Sequence, residues 1–157
     1  MTQPKKVSCP CSSKLMLNNC CGRYHHGADV PTPEALMRSR YSAFALGLSD
    51  YLLATWHSST RPVELAPDPA TEWKRLVIVN AEPALEESGQ VHFQAFFFEH
   101  AHGRKRWHVL EEVSRFVKEQ QRWRYVDGTT SLTRLKPGRN DLCLCGSGRK
   151  LKVCCGE

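Results

Sequence analysis

Between Cys21 and Cys143 the sequence contains no cysteine. All eight lie in two short stretches at the ends, which excludes a disulfide framework through the central body. No apolar run approaches the roughly 20 residues of a membrane helix. No N-terminal stretch has the apolar core of a secretory signal, since Pro4-Lys5-Lys6-Val7 runs straight to Cys9. These absences predict a cytoplasmic protein, with thiols kept reduced and available for metal. Acidic residues are also missing from positions 1–23, which carry Lys5, Lys6, Lys14 and Arg23. Residues 134–157 hold six basic side chains against Asp141 and Glu157, so each end contributes +4. The 110 residues between them carry 12 basic and 14 acidic side chains, and the net charge of +6 is thus confined to the ends. A zinc centre with four thiolates carries a charge of about −2, so much of this excess offsets the ligands. Nucleic-acid binding is the lesser reading of such a charge, because a basic patch alone is a weak footprint.

What is present at the ends is a repeat. Cys9-Pro-Cys11, eight residues, then Cys20-Cys21-Gly22 matches Cys143-Leu-Cys145, eight residues, then Cys154-Cys155-Gly156, with every position offset by 134. Ser13 matches Ser147, and Leu17 matches Leu151. Four thiols this close in sequence suit one tetrahedral metal ion each, and zinc accepts four thiolates. Four thiolates also suit iron. Two disulfides per module, or free buried thiols, are the alternatives to metal. The vicinal pair has to leave regular helix or sit at its end, because adjacent helical side chains diverge.

The run Gly138-Arg139-Asn140-Asp141-Leu142-Cys143-Leu144-Cys145-Gly146-Ser147-Gly148-Arg149-Lys150-Leu151-Lys152-Val153-Cys154-Cys155-Gly156 closely resembles the SEC-C motif. That motif is known as the zinc-binding tail of the SecA translocation motor, where it contacts the SecB chaperone. The resemblance implies that Cys143, Cys145, Cys154 and Cys155 are zinc ligands. By the shared spacing, Cys9, Cys11, Cys20 and Cys21 form the second set, giving two zinc ions. Leu142 and Leu144 stand where the motif usually has Pro. The N-terminal copy departs further: Ser12 replaces a usual Gly, and the basic run shrinks to Ser12-Ser13-Lys14.

Arg23 to Pro31 is read as a linker, with His25 and His26 as solvated residues rather than ligands. Thr32-Pro33-Glu34 then opens a helix, with Thr as N-cap and Pro at the first helical position. Leu36, Met37, Tyr41, Phe44, Ala45 and Leu48 recur at helical spacing. Gly47-Leu48-Ser49-Asp50 breaks the pattern and caps a second helix over Tyr51 to His57. Residues 58–70 read as a loop. Strands are predicted over 74–81, 91–99, 107–117 and from Trp123 to Val126, with Glu111-Glu112 marking a bulge or an exposed stretch.

Helices followed by strands predict an α+β fold, with N-terminal helices packed on a curved antiparallel sheet. Glu34-Ala35-Leu36-Met37-Arg38-Ser39-Arg40-Tyr41-Ser42-Ala43-Phe44 and Asp50-Tyr51-Leu52-Leu53-Ala54-Thr55-Trp56-His57 resemble the signature of YchJ-like bacterial proteins. The resemblance implies a middle domain with the cone-shaped nuclear-transport-factor-2-like (cystatin-like) fold. The expected division is 1–27 and 134–157 as zinc modules around a middle domain at 28–133. That middle domain is expected to fold without the metal.

Two functions compete. A closed four-cysteine site has no open position for substrate, so the first is a non-catalytic zinc-binding adaptor. Arg139, Arg149, Lys150 and Lys152 would form its docking surface for a chaperone-, translocation- or ribosome-related protein, or less readily for RNA. The second is a small-molecule binder or enzyme using the interior of the cone. Tyr41, Asp50, His57 and His92 are its candidate polar groups, although Tyr41 also fits a core position and Asp50 an N-cap. Vicinal thiols also permit a redox-sensing role.

Overall fold

The Thr32 hydroxyl accepts a hydrogen bond from the Ala35 amide at 3.1 Å, and Pro33 occupies the first helical position, where no amide partner is needed. Helix α2, Pro33–Leu46, follows from this start in the computed structural model, which describes residues 7–156. Before it comes a single helical turn, α1, Cys21–His25. After it comes α3, Ser49–Ala54. Lys5 and Lys6 of the basic N-terminus, and the outermost bounds of the two end modules, lie outside the described residues.

α2 ends at Gly47, whose φ of +73° is the left-handed conformation that closes a helix, with the Leu48 amide returning to the Ala43 carbonyl at 2.9 Å. α3 differs from expectation at both ends. Its N-cap position is Leu48, which makes no side-chain cap, and Asp50 sits exposed within the first turn. It stops at Ala54, and Trp56 leaves it to bridge in parallel to Tyr125.

Four strands follow as an antiparallel meander in the order β1 (Thr71–Ala81), β2 (Ser88–Ala101), β3 (Arg104–Glu119) and β4 (Arg122–Leu135). All four run beyond the sequence-based bounds. Ladder pairing recruits polar flanks that carry little strand propensity of their own. Two-residue turns with positive φ join β2 to β3 through His102-Gly103 and β3 to β4 through Gln120-Gln121. Register shifts at Trp73/Arg75, Ile78/Asn80 and Arg115/Phe116 curve the sheet. The β2–β3 ladder is unbroken across Glu111-Glu112, so of the two expected features the bulge is absent there, while the Glu111 side chain is 40% exposed; the bulge lies at Arg115/Phe116 against β4.

Strand alternation gives the sheet two different faces. Trp73, Leu76, Ile78, Val91, Phe93, Ala95, Leu110, Phe116, Trp123 and Tyr125 pack with Leu36, Met37 and Tyr41 of α2 on the concave side. Leu36, Leu52, Val91 and Phe116 are fully buried, each worth about 1.5–3 kcal/mol of transfer free energy. Phe96, Phe98, Trp107 and Leu135 point to the opposite, convex side. No helix among the described residues is long and apolar enough to cross a membrane.

Candidate metal centres and the cone cavity

The two cysteine modules share a hydrogen-bonded scaffold. The Cys9 amide donates to the Leu15 carbonyl at 2.9 Å, and the Cys143 amide to the Arg149 carbonyl at 2.8 Å. A 3₁₀ turn, Leu17–Asn19 or Leu151–Val153, carries the chain to the vicinal pair. Cys20 and Cys154 close these turns with the same φ of −134°. Cys20 then caps α1, so the vicinal pair sits at a helix end, as adjacent ligands require. The final glycine of each motif is dictated by space: a Cβ on Gly22 would lie 2.6 Å from the Leu17 carbonyl oxygen, and one on Gly156 2.7 Å from that of Leu151. The C-terminal loop turns through Gly146 and Gly148 at φ +85° and +82°; the N-terminal copy forces Ser12 and Lys14 to +68° and +67°.

Within each cluster all four sulfurs lie within 4.8 Å of one another. Zinc–sulfur bonds of about 2.3 Å set tetrahedral sulfur–sulfur edges of about 3.8 Å. Cys11 and Cys20 sulfurs are 3.6 Å apart, Cys145 and Cys154 3.5 Å, and both vicinal pairs 4.0 Å. These edges fit a tetrahedral metal and are far too long for a disulfide at about 2.05 Å. All eight cysteines are free. Each cluster can therefore hold one metal ion on four sulfurs.

Thiols packed this tightly cannot share protons evenly. Hydrogen bonds with Cys11 and Cys21 hold the Cys9 thiol far below its ordinary range. Hydrogen bonds with Cys11 and Cys9, together with burial, hold Cys21 well above it. In the C-terminal cluster a hydrogen bond from Ser147 lowers Cys154 to about 6, while burial pushes Cys155 up to about 12. A divalent cation that replaces the protons resolves this imbalance at both sites.

The modules sit on opposite faces of the sheet. All four N-terminal cysteines are buried in the same core as Leu36, Tyr41 and Phe93. Arg38 donates to the Cys11 carbonyl at 3.0 Å, and the Leu76 amide donates to the Ser12 hydroxyl at 3.1 Å. The N-terminal copy, though further from the SEC-C pattern, is thus the more deeply embedded. The C-terminal cluster instead covers the convex aromatics: Cys143 packs with Phe98 and Trp107, and Gly146 lies against Arg75. Arg139, Arg149, Lys150 and Lys152 are all exposed around it. Arg149 turns back to donate to the Cys154 sulfur at 3.7 Å.

His25 and His26, expected as solvated linker residues, divide. His26 is exposed, but His25 belongs to α1, donates from Nε2 to the Ser39 carbonyl at 2.8 Å and meets the Tyr51 ring edge-on.

A cavity of about 210 Å³ lies between α2 and the concave sheet. Of the four candidate pocket residues only Tyr41 lines it. Asp50 lies in the solvent-facing first turn of α3. The His57 Nδ1 meets the Ser59 hydroxyl at 2.7 Å, outside the cavity. His92 is on the convex face, with Nε2 2.7 Å from Glu111. Arg40, Glu112 and Tyr125 line it together with Tyr41. Arg40 Nη1 donates to the Leu52 carbonyl and the Thr55 hydroxyl, both at 2.7 Å, and its guanidinium lies over the Trp56 and Tyr125 rings. Burial lowers its pKa to about 10. The Tyr125 hydroxyl donates to Glu112 at 3.2 Å, and Ser114 donates to the other carboxylate oxygen. The sequence carried a signal for Arg40: it is a charge inside the apolar stripe of Met37, Tyr41 and Phe44. Alternation with Leu110, Ser114 and Phe116 is the signal that could have placed Glu112. A larger and more open groove of about 570 Å³ is lined by Tyr24, Asp29 and Arg122 among others.

Residues 32–128 match the family described as YchJ, middle NTF2-like domain, and residues 139–157 match the SEC-C motif. A UPF0225 protein of Vibrio parahaemolyticus is 44% identical, over 95% of this chain and 98% of its own. One from Vibrio vulnificus (strain YJ016) is 45% identical, over 96% and 99%. The solution structure of a SEC-C motif containing protein from Rhodopseudomonas palustris aligns with a TM-score of 0.66 at 29% identity, over 78% of this chain and 98% of that one. The crystal structure of a SEC-C motif containing protein from Psychrobacter arcticus aligns with a TM-score of 0.62 at 31% identity, over 95% of both.

Proposed function

The chain belongs to the YchJ-like (UPF0225) family, and from that premise we propose that it is a zinc-binding cytoplasmic adaptor whose C-terminal module docks an acidic surface of a partner protein. Zinc suits a set of four thiolates with no further ligand, and such a site holds structure without catalysing anything. Both clusters serve that purpose, on opposite faces of one sheet.

The observation that carries the docking role is the exposure of Arg139, Lys150 and Lys152 on the C-terminal module, with no ion-pair partner among the described residues. Long cationic side chains left in water offer charge to a partner without breaking internal contacts. The SEC-C resemblance favours a chaperone-, translocation- or ribosome-related partner. The test is capture by the immobilised zinc-loaded chain, against an Arg139→Ser/Lys150→Ser/Lys152→Ser variant. Arg149 is left in place because it supports Cys154. Docking by charge predicts salt-sensitive capture that the variant loses, with its zinc content unchanged. Equal capture at equal salt by both proteins would make the module purely structural.

A further inference from the structure

The Tyr41 side chain is 3% exposed, yet its hydroxyl has no hydrogen-bond partner in the protein. A buried hydroxyl left unpaired is costly. Tyr41 lines the cone cavity. We propose that this cavity binds a small neutral aromatic ligand bearing one acceptor oxygen, an aryl ketone or aldehyde in class, which takes its hydrogen bond from Tyr41.

Three features define the class. The walls are aromatic, with Trp73 edge-on to Tyr41 at 5.7 Å, Phe93 on the sheet and Trp56 at the side. Stacked and edge-on contacts of this kind favour a planar π system over an aliphatic chain. The volume of about 210 Å³ suits one substituted ring, since an apolar cavity of about 150 Å³ accepts benzene. The charges are already used: Arg40 is engaged by Leu52 and Thr55, and Glu112 takes donors from Tyr125 and Ser114. One cation and one carboxylate leave no net charge for an ionic ligand. A phenol is neutral near pH 7, so Tyr41 offers a donor without charge. The cavity lies on the concave side of the sheet, away from the C-terminal module, so the site is independent of the docking role.

The test uses the zinc-loaded whole chain labelled with ¹⁵N and follows the indole N–H resonances of Trp56 and Trp73. The probes are acetophenone, its isostere α-methylstyrene, which lacks the oxygen, and benzoate. Acetophenone is expected to shift both resonances saturably and more tightly than benzoate. Tyr41→Phe should weaken acetophenone about fivefold and leave α-methylstyrene unchanged. Ala95→Phe should fill the cavity and remove binding of both while zinc content is kept. Tyr41→Phe removes one oxygen without reshaping the wall, so the two-probe comparison stands if Ala95→Phe does not fold. No saturable shift with either aryl probe, equal weakening of both by Tyr41→Phe, or tighter binding of benzoate overturns the proposal.

Discussion

The Cys9 sulfur lies 3.4 Å from the Ser42 hydroxyl, 33 residues away in the middle of α2. A candidate metal ligand is thereby joined to the helix that roofs the cone. The N-terminal module is part of the core, whereas the C-terminal module is laid on the outside of the sheet.

The two modules should therefore respond differently to ligand loss. Cys9→Ser is expected to destabilise the whole domain by more than about 4 kcal/mol, the range of a lost metal combined with core disruption. Cys143→Ser should lower the melting temperature by only about 5 °C, as the convex aromatics lose part of their cover. Calorimetry on both variants measures the difference. Retention of a wild-type transition in Cys9→Ser would show that the middle domain stands alone, as the sequence suggested.

Backbone strain in the N-terminal loop predicts a stabilising substitution. Lys14 holds φ +67° and is exposed. Lys14→Gly should raise stability by about 1 kcal/mol, the cost of a left-handed conformation for a residue with a Cβ. Ser12→Gly relieves similar strain but loses the hydrogen bond to the Leu76 amide, so it should gain nothing. Urea denaturation of the pair separates the two effects.

The terminal glycine of each motif predicts a site-selective loss of metal. Gly22→Ala and Gly156→Ala each drive a Cβ into a carbonyl oxygen of the same module. The wild type is expected to bind two metal ions and each variant one, as counted by elemental analysis. Full occupancy in both would mean that the turns relax without cost.

Arg40 joins α2 to α3 through two hydrogen bonds from a single nitrogen. Arg40→Met keeps the volume but leaves the Leu52 carbonyl and Thr55 hydroxyl without that donor. The expected cost is about 2–3 kcal/mol, measured by urea denaturation.

Much of this was legible in the residues. The repeat offset of 134 reappears in the hydrogen bonds, because a tight metal loop leaves little conformational choice. Thr32-Pro33 and Gly47 set the bounds of α2 by local chemistry alone. The location of the N-terminal cysteines was not legible, since embedding depends on contacts with Ser42, Arg38 and Leu76 that no spacing reveals. The cavity groups were misplaced for the same reason. Asp50, His57 and His92 are polar and lie near apolar runs, but which side chains converge depends on sheet curvature. Gly128 is an example: a Cβ there would lie 2.6 Å from the Glu112 side chain, so its absence lets that carboxylate stand on the concave face.

Native mass spectrometry during chelator competition tests the two-site arrangement most directly, using the whole chain purified without added metal. Two zinc ions per chain are predicted at the start. The C-terminal ion should leave first, while the protein remains folded, and the N-terminal ion only with global unfolding. A chain that carries no metal and is lighter by the hydrogens of paired thiols would contradict it. So would loss of both ions together from a protein that stays folded.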